Sequence, residues 1–113
     1  MNERERATLL DIADAARLAA DFMADMGQPA FLADRKTQSA VMHQLVVIGE
    51  AVKRRSTEFR IAHPVLPWKL IAGMRDQLIH GYDSVDLDEV WNTVQRDLPA
   101  LRAAVQELLD APE

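Results

Sequence analysis

Arg75, Asp76, His80 and Tyr82 fall within one short stretch, Arg75-Asp76-Gln77-Leu78-Ile79-His80-Gly81-Tyr82. An arginine offers a planar fork of donors that fits phosphoryl oxygens. A histidine moves protons near neutral pH. An aspartate four residues before it on a helix lies over it and can orient the ring. Together these groups suit an RNA phosphodiester without a metal. His80 would move a proton to or from the 2′-hydroxyl or the leaving oxygen, and Arg75 would stabilise charge on the phosphate. Arg75 and His80 are five apart, so on an ideal helix they diverge. They meet only if the last turn unwinds or the long arginine side chain reaches round. The same residues also read as an ordinary helix end, where the dipole favours a cation and Tyr82 is a surface side chain.

A helix must carry these groups. Trp68, Ile71, Met74 and Leu78 recur at helical spacing, and Gly81 is a residue that commonly ends a helix. Pro67 suits its first turn. His63-Pro64-Val65-Leu66-Pro67 reads as a stiff connector before it, with His63 a loop residue and Trp68 a core residue.

R-x-x-x-x-H-x-Y in a small, acidic, all-helical chain resembles the HEPN superfamily, and within it the HepT-like ribonuclease toxins. Further segments share the likeness: Ile48-Gly49-Glu50-Ala51, Pro67-Trp68, Gly73-Met74-Arg75, Ile79-His80-Gly81-Tyr82, Val90-Trp91 and Asp97-Leu98-Pro99-Ala100-Leu101. The resemblance runs from about residue 40 to 105. Position 76 is Asp, where relatives often carry Asn. The resemblance implies a metal-independent endoribonuclease acting as a toxin, and a homodimer with two motifs lining a shared cleft. Arg75 and His80 would be catalytic and Asp76 supporting. It also implies a partner, a minimal nucleotidyltransferase antitoxin that uses ATP to attach AMP to the motif tyrosine, here Tyr82. An alternative of another class is a non-catalytic nucleotide- or RNA-binding subunit of a nucleotidyltransferase, in which Arg75 binds phosphate and His80 transfers no proton. A third is a structural helical dimer.

Composition sets the bounds. A chain of 113 residues, 49% hydrophobic, makes one domain, residues 1–113, with a real core. Cysteine is absent, which fits a reducing cytoplasm. The mixed-charge start Met-Asn-Glu-Arg-Glu-Arg is not a signal peptide, and no apolar run is long enough to span a membrane. Neither an H-x-x-x-H pair nor a P-loop is present, so no metal and no cofactor are expected. The formal net charge of −5 opposes nucleic-acid binding in bulk, but the charge is segregated. Residues 1–26 carry three cations and six acids, residues 50–75 six cations and two acids, and residues 76–113 two cations and nine acids. Lys53-Arg54-Arg55 by itself reads as a solvated helix face.

The remaining elements follow from spacing. Leu9, Ile12, Ala16, Ala19, Met23 and Met26 predict an amphipathic helix over 3–26, ended by Gly27-Gln28-Pro29. Phe31 and Leu32 are expected to pack over helix ends. Asp34 is a candidate N-cap for a second long helix to about Arg60, with Val41, Leu45, Ile48 and Val52 inward. Its broad apolar face, widened by Met42, Val46 and Gly49, has room for a second subunit. Asp86-Leu87-Asp88-Glu89 has capping-box spacing, and Leu87, Val90, Trp91, Val94, Leu98, Leu101, Val105 and Leu108 mark a last helix that Pro99 should kink. The expected fold is all-α, a four- or five-helix up-and-down bundle, HEPN-like.

Overall fold

The computed structural model of the chain describes residues 1–54, 57–64, 66, 68, 71, 78 and 85–112. Among these, every regular element is helical, as the spacing predicts. The first helix, α1, spans Glu3–Phe22. Asn2 caps it: its Oδ1 accepts from the Glu5 N–H at 2.8 Å, and its Nδ2 donates to Glu5 Oε1 at 2.9 Å. That pair satisfies one of the free donors of the first turn. Leu9, Ile12, Ala15, Ala16 and Ala19 form the inward face, and all are buried. The helix stops four residues short of the expected end. The Met23 N–H turns back to the carbonyls of Ala20 and Asp21, a tighter closure that uses up terminal acceptors. Met23 nevertheless stays in the core, and Met26 packs against it.

Gly27-Gln28-Pro29 does more than end a helix. Gly27 is the N-cap of a short helix, α2, over Gln28–Leu32, with Pro29 in the first turn where its missing N–H costs nothing. Phe31 is fully buried, whereas Leu32 is 40% exposed, so only the first of the two packs as expected. The third helix, α3, spans Arg35–Lys53 and starts at the anticipated cap. Asp34 accepts from the Thr37 N–H at 3.1 Å and from its hydroxyl at 2.7 Å. Buried Gln38 donates from Nε2 to the Phe31 carbonyl at 2.9 Å, which ties α2 to α3.

The long helix expected to reach Arg60 is two helices. α3 closes at Lys53, and α4 covers Thr57–Ala62. Arg60 Nη2 donates to the Val52 carbonyl at 3.0 Å. In one continuous helix these residues would be about 12 Å apart along the axis, too far for that bond. The break lets Arg60 return to the end of α3 and cover a carbonyl there.

The last long element starts at Asp86, whose Oδ1 accepts from the Asp88 and Glu89 N–H groups at 3.0 and 3.3 Å. α5 covers Leu87–Asn92 and α6 covers Leu98–Asp110. Between them Thr93–Asp97 form a π-helical turn, in which the Leu98 N–H bonds to the Thr93 carbonyl. The expected irregularity at Pro99 therefore takes the form of one wide turn just before it. Val90, Val94 and Leu98, all buried, are spaced four apart. Each such step overshoots a regular turn by about 40°, and a wider turn removes the drift.

These elements share one core. α1 packs on α3 and on α6, and α2 lies against α3 and α5. α1 and α6 run antiparallel: Arg6 donates to the Leu109 carbonyl at 3.1 Å at one end, while Met23 and Pro99 line one groove at the other. The fold is the all-α bundle expected from the sequence.

Candidate functional site

Arg75, Asp76, His80 and Tyr82 lie outside the described residues. The structure does describe side chains that bracket them. Trp68, Ile71 and Leu78 are helical and buried in the common core. They are three of the four positions of the predicted stripe; the fourth, Met74, is outside the described residues. After the motif, Val85 packs against the same core and Asp86 caps α5.

The entry to the motif segment is held by aromatic packing and one carbonyl. The Trp68 indole N–H donates to the His63 carbonyl at 2.8 Å, and the Leu66 N–H reaches the same oxygen at 3.3 Å. Phe59, buried on α4, meets Trp68 edge-on with ring centroids 5.5 Å apart, and meets His63 at 4.7 Å. Edge-to-face contacts of this kind add to the burial of the rings. His63 is thus the expected loop residue and Trp68 the expected core residue, but His63 also serves as an anchor through its carbonyl and ring. His43 is exposed and takes no part.

Arg60 and Gln38 were not singled out by spacing or motif. Arg60 is half-buried; Nη2 bonds the Val52 carbonyl, while Nε is buried without a partner. Its place at the expected end of the second long helix gave no sign of this role. Gln38 carried only one signal, a polar residue among inward positions of α3. Between α2 and α5, Gln28 Nε2 donates to Asp88 Oδ1 at 2.7 Å, and Phe31 and Trp91 pack with centroids 5.9 Å apart. These contacts hold α5 against α2.

Comparison with known proteins agrees with this frame. The family model for ribonuclease HepT-like proteins matches residues 12–108. The chain belongs to the HepT-like ribonuclease family. It is 41% identical over 108 residues to a Thermococcus cleftensis protein named "Probable ribonuclease HepT", covering 96% of this chain and 98% of that one. It is 39% identical over 104 residues to a "Putative RNase" of Methanocaldococcus jannaschii, covering 92% and 86% of the two chains. A "Putative RNase" of Caldanaerobacter subterraneus is 44% identical over 79 residues, 70% of each chain. No solved structure matches. The matched region contains the whole R-x-x-x-x-H-x-Y stretch, all of α2 to α5, and the greater part of α1 and α6. Among the described residues, no helix is long and apolar enough to cross a membrane.

Proposed function

We propose that this chain is a metal-independent endoribonuclease, the toxin of a toxin–antitoxin pair, with Arg75 and His80 as its catalytic residues. The observation that carries the reading is the family match over residues 12–108, which contains the motif residues in order. The buried positions Trp68, Ile71 and Leu78 support it, because three of the four stripe positions expected for this segment lie in the core. Arg75 binds phosphoryl oxygens and stabilises the charge that develops on them. His80 moves a proton at the 2′-hydroxyl or the leaving oxygen. Asp76 orients the imidazole. Two copies of the chain pair so that their motifs line one cleft.

In this reading a nucleotidyltransferase antitoxin silences the site through Tyr82. The phenolic oxygen attacks the α-phosphorus of ATP, the new O–P bond forms as pyrophosphate leaves, and the phenolic proton is lost to solvent. The added phosphate charge then repels the RNA backbone.

The test is cleavage of RNA by the purified chain in excess chelator, beside His80→Ala, with intact mass checked first for AMP. Cleavage that survives chelation and disappears in the variant is expected. An unmodified, folded dimer that leaves RNA intact would overturn the assignment. For the modification, Tyr82→Phe should no longer gain AMP mass when incubated with the nucleotidyltransferase and ATP; undiminished labelling would remove Tyr82 from the scheme.

A further inference from the structure

The seam between α1 and the last helices opens into a groove at one end of the bundle. Met23, Ala24 and Met26 line one side and Val94, Gln95 and Pro99 the other, around a volume of about 210 Å³. Two local breaks in helix geometry border it. α1 stops at Phe22, and the chain turns through the next residues, with the Met26 N–H on the Met23 carbonyl at 3.0 Å. Opposite, the π-helical turn Thr93–Asp97 widens the backbone. Ala24, Gln95 and Pro99 are exposed, so the groove is open to solvent.

Three properties of the groove together describe what fits it. Its wall on the α1 side is apolar and adaptable. The thioethers of Met23 and Met26 can repack around an inserted side chain, and the small Ala24 leaves space beside them. The groove also offers an open acceptor. In a regular α-helix the Leu98 N–H would bond to the Val94 carbonyl. Here it bonds to the Thr93 carbonyl, and the next residue, Pro99, has no N–H. Val94, only 4% exposed, is thus left with a carbonyl that has neither of these donors. Such a carbonyl favours an N–H or O–H from whatever fills the groove. The rim, finally, is electronegative. Residues 20–26 carry Asp21 and Asp25 and no cation, and residues 93–99 carry Asp97 against Arg96. Arg17, one turn earlier, is shared between Asp14 at 2.7 Å and Asp21 at 3.1 Å, a trio that keeps a negative charge. The last turn of α1 has no basic residue to offset its carbonyl end.

We propose that this groove is a docking site for a cationic, apolar segment of a protein partner. An apolar side chain of that segment enters between Met23, Met26 and Pro99, and an N–H donates to the Val94 carbonyl. A lysine or arginine of the segment meets Asp25 at the end of α1. Charge sets the class of partner, because an acidic rim attracts a basic peptide and repels nucleic acid. The inference goes beyond the ribonuclease reading and does not depend on it.

The probe is a labelled synthetic amphipathic peptide of leucine and lysine, with its leucines at i, i+3 and i+4, titrated with the full chain by fluorescence anisotropy. Its leucine–glutamate counterpart is titrated beside it. Ala24→Arg places bulk and positive charge in the groove, and Gln95→Lys does the same from the facing side. Ala103→Arg adds the same charge at an exposed position on α6 outside the groove. Melting curves and solution mass establish that each variant is folded and associated as the parent is, and either groove variant suffices for the comparison. The lysine peptide should bind saturably, and Ala24→Arg or Gln95→Lys should weaken it roughly tenfold. Asp25→Asn should weaken it about threefold, as for one exposed ion pair. Ala103→Arg should bind as the parent does. The proposal is overturned by non-saturable binding, by equal affinity for the glutamate peptide, or by equal losses in groove and control variants. It is overturned as well if the parent self-associates and Ala24→Arg alone makes it monomeric, because a second copy would then be the occupant.

Discussion

Single side chains here do their work mainly at helix ends. Asp34 accepts both the hydroxyl and the N–H of Thr37, and these bonds, the hydroxyl first, hold its carboxyl below the ordinary aspartate range. A lowered folded-state value means that Asp34 contributes stability at pH above the unfolded carboxylate pKa, and that this is lost as pH falls through the folded value. Asp34→Ala should therefore melt lower than the parent near neutral pH, and the gap in melting temperature should narrow below about pH 4. Thermal melts of the two proteins across pH check this; a constant gap would remove the charge from the account. Trp68 is a second single-residue anchor. Trp68→Phe keeps most of the ring packing against Phe59 but loses the 2.8 Å bond to the His63 carbonyl. Denaturant titration should show a loss of about 1–2 kcal/mol. The motif residues belong to this scale too: their order in the sequence carries the resemblance to the family that the whole-chain match shows.

At the scale of elements, the π-helical turn Thr93–Asp97 has two candidate causes, the missing donor of Pro99 and the four-residue spacing of Val90, Val94 and Leu98. Packing is the stronger cause, because all three side chains must stay inward. In Pro99→Ala the Leu98 N–H should still bond the Thr93 carbonyl, and a crystal structure of the variant would show it; a regular α-helix through this region would assign the turn to the proline alone. The α1–α3 interface rests on complete burial of Ile12 and Leu45. Leu45→Ala should cost about 2–5 kcal/mol in chemical denaturation, since it leaves a cavity between two long helices. Less than about 1 kcal/mol would mean that the interface can collapse around the gap.

Across the whole molecule, one hydrophobic cluster includes residues from every described helix together with Trp68, Ile71 and Leu78. A single shared core predicts a single transition. Tryptophan fluorescence, reporting Trp68 beside the motif and Trp91 on α5, should unfold together with the helical circular-dichroism signal. Separate transitions would mean that the motif segment folds as a unit of its own. Charge also acts at this scale. The sequence has acidic ends and a cationic middle, and under the ribonuclease reading RNA binding should weaken steeply with salt.

The sequence by itself determined the all-helical class, the inward stripes of the described helices, the caps Asp34 and Asp86, and the family. Those features depend on periodicity and on local hydrogen bonding within a few residues, which a linear reading can follow. Only the tertiary structure decided where helices stop. α1 ends at Phe22 instead of residue 26, α3 and α4 separate before Arg60, and Gln28-Pro29 begin a helix of their own. At the α3–α4 break the contact joins residues that periodicity treats as continuous, whereas α1 is closed locally by the Met23 N–H on the Ala20 and Asp21 carbonyls. Arg60 returns to Val52, Gln38 reaches the Phe31 carbonyl, and Trp68 reaches the His63 carbonyl. Burial fixes the faces of the helices, but their ends are set by which polar groups find partners once the helices meet.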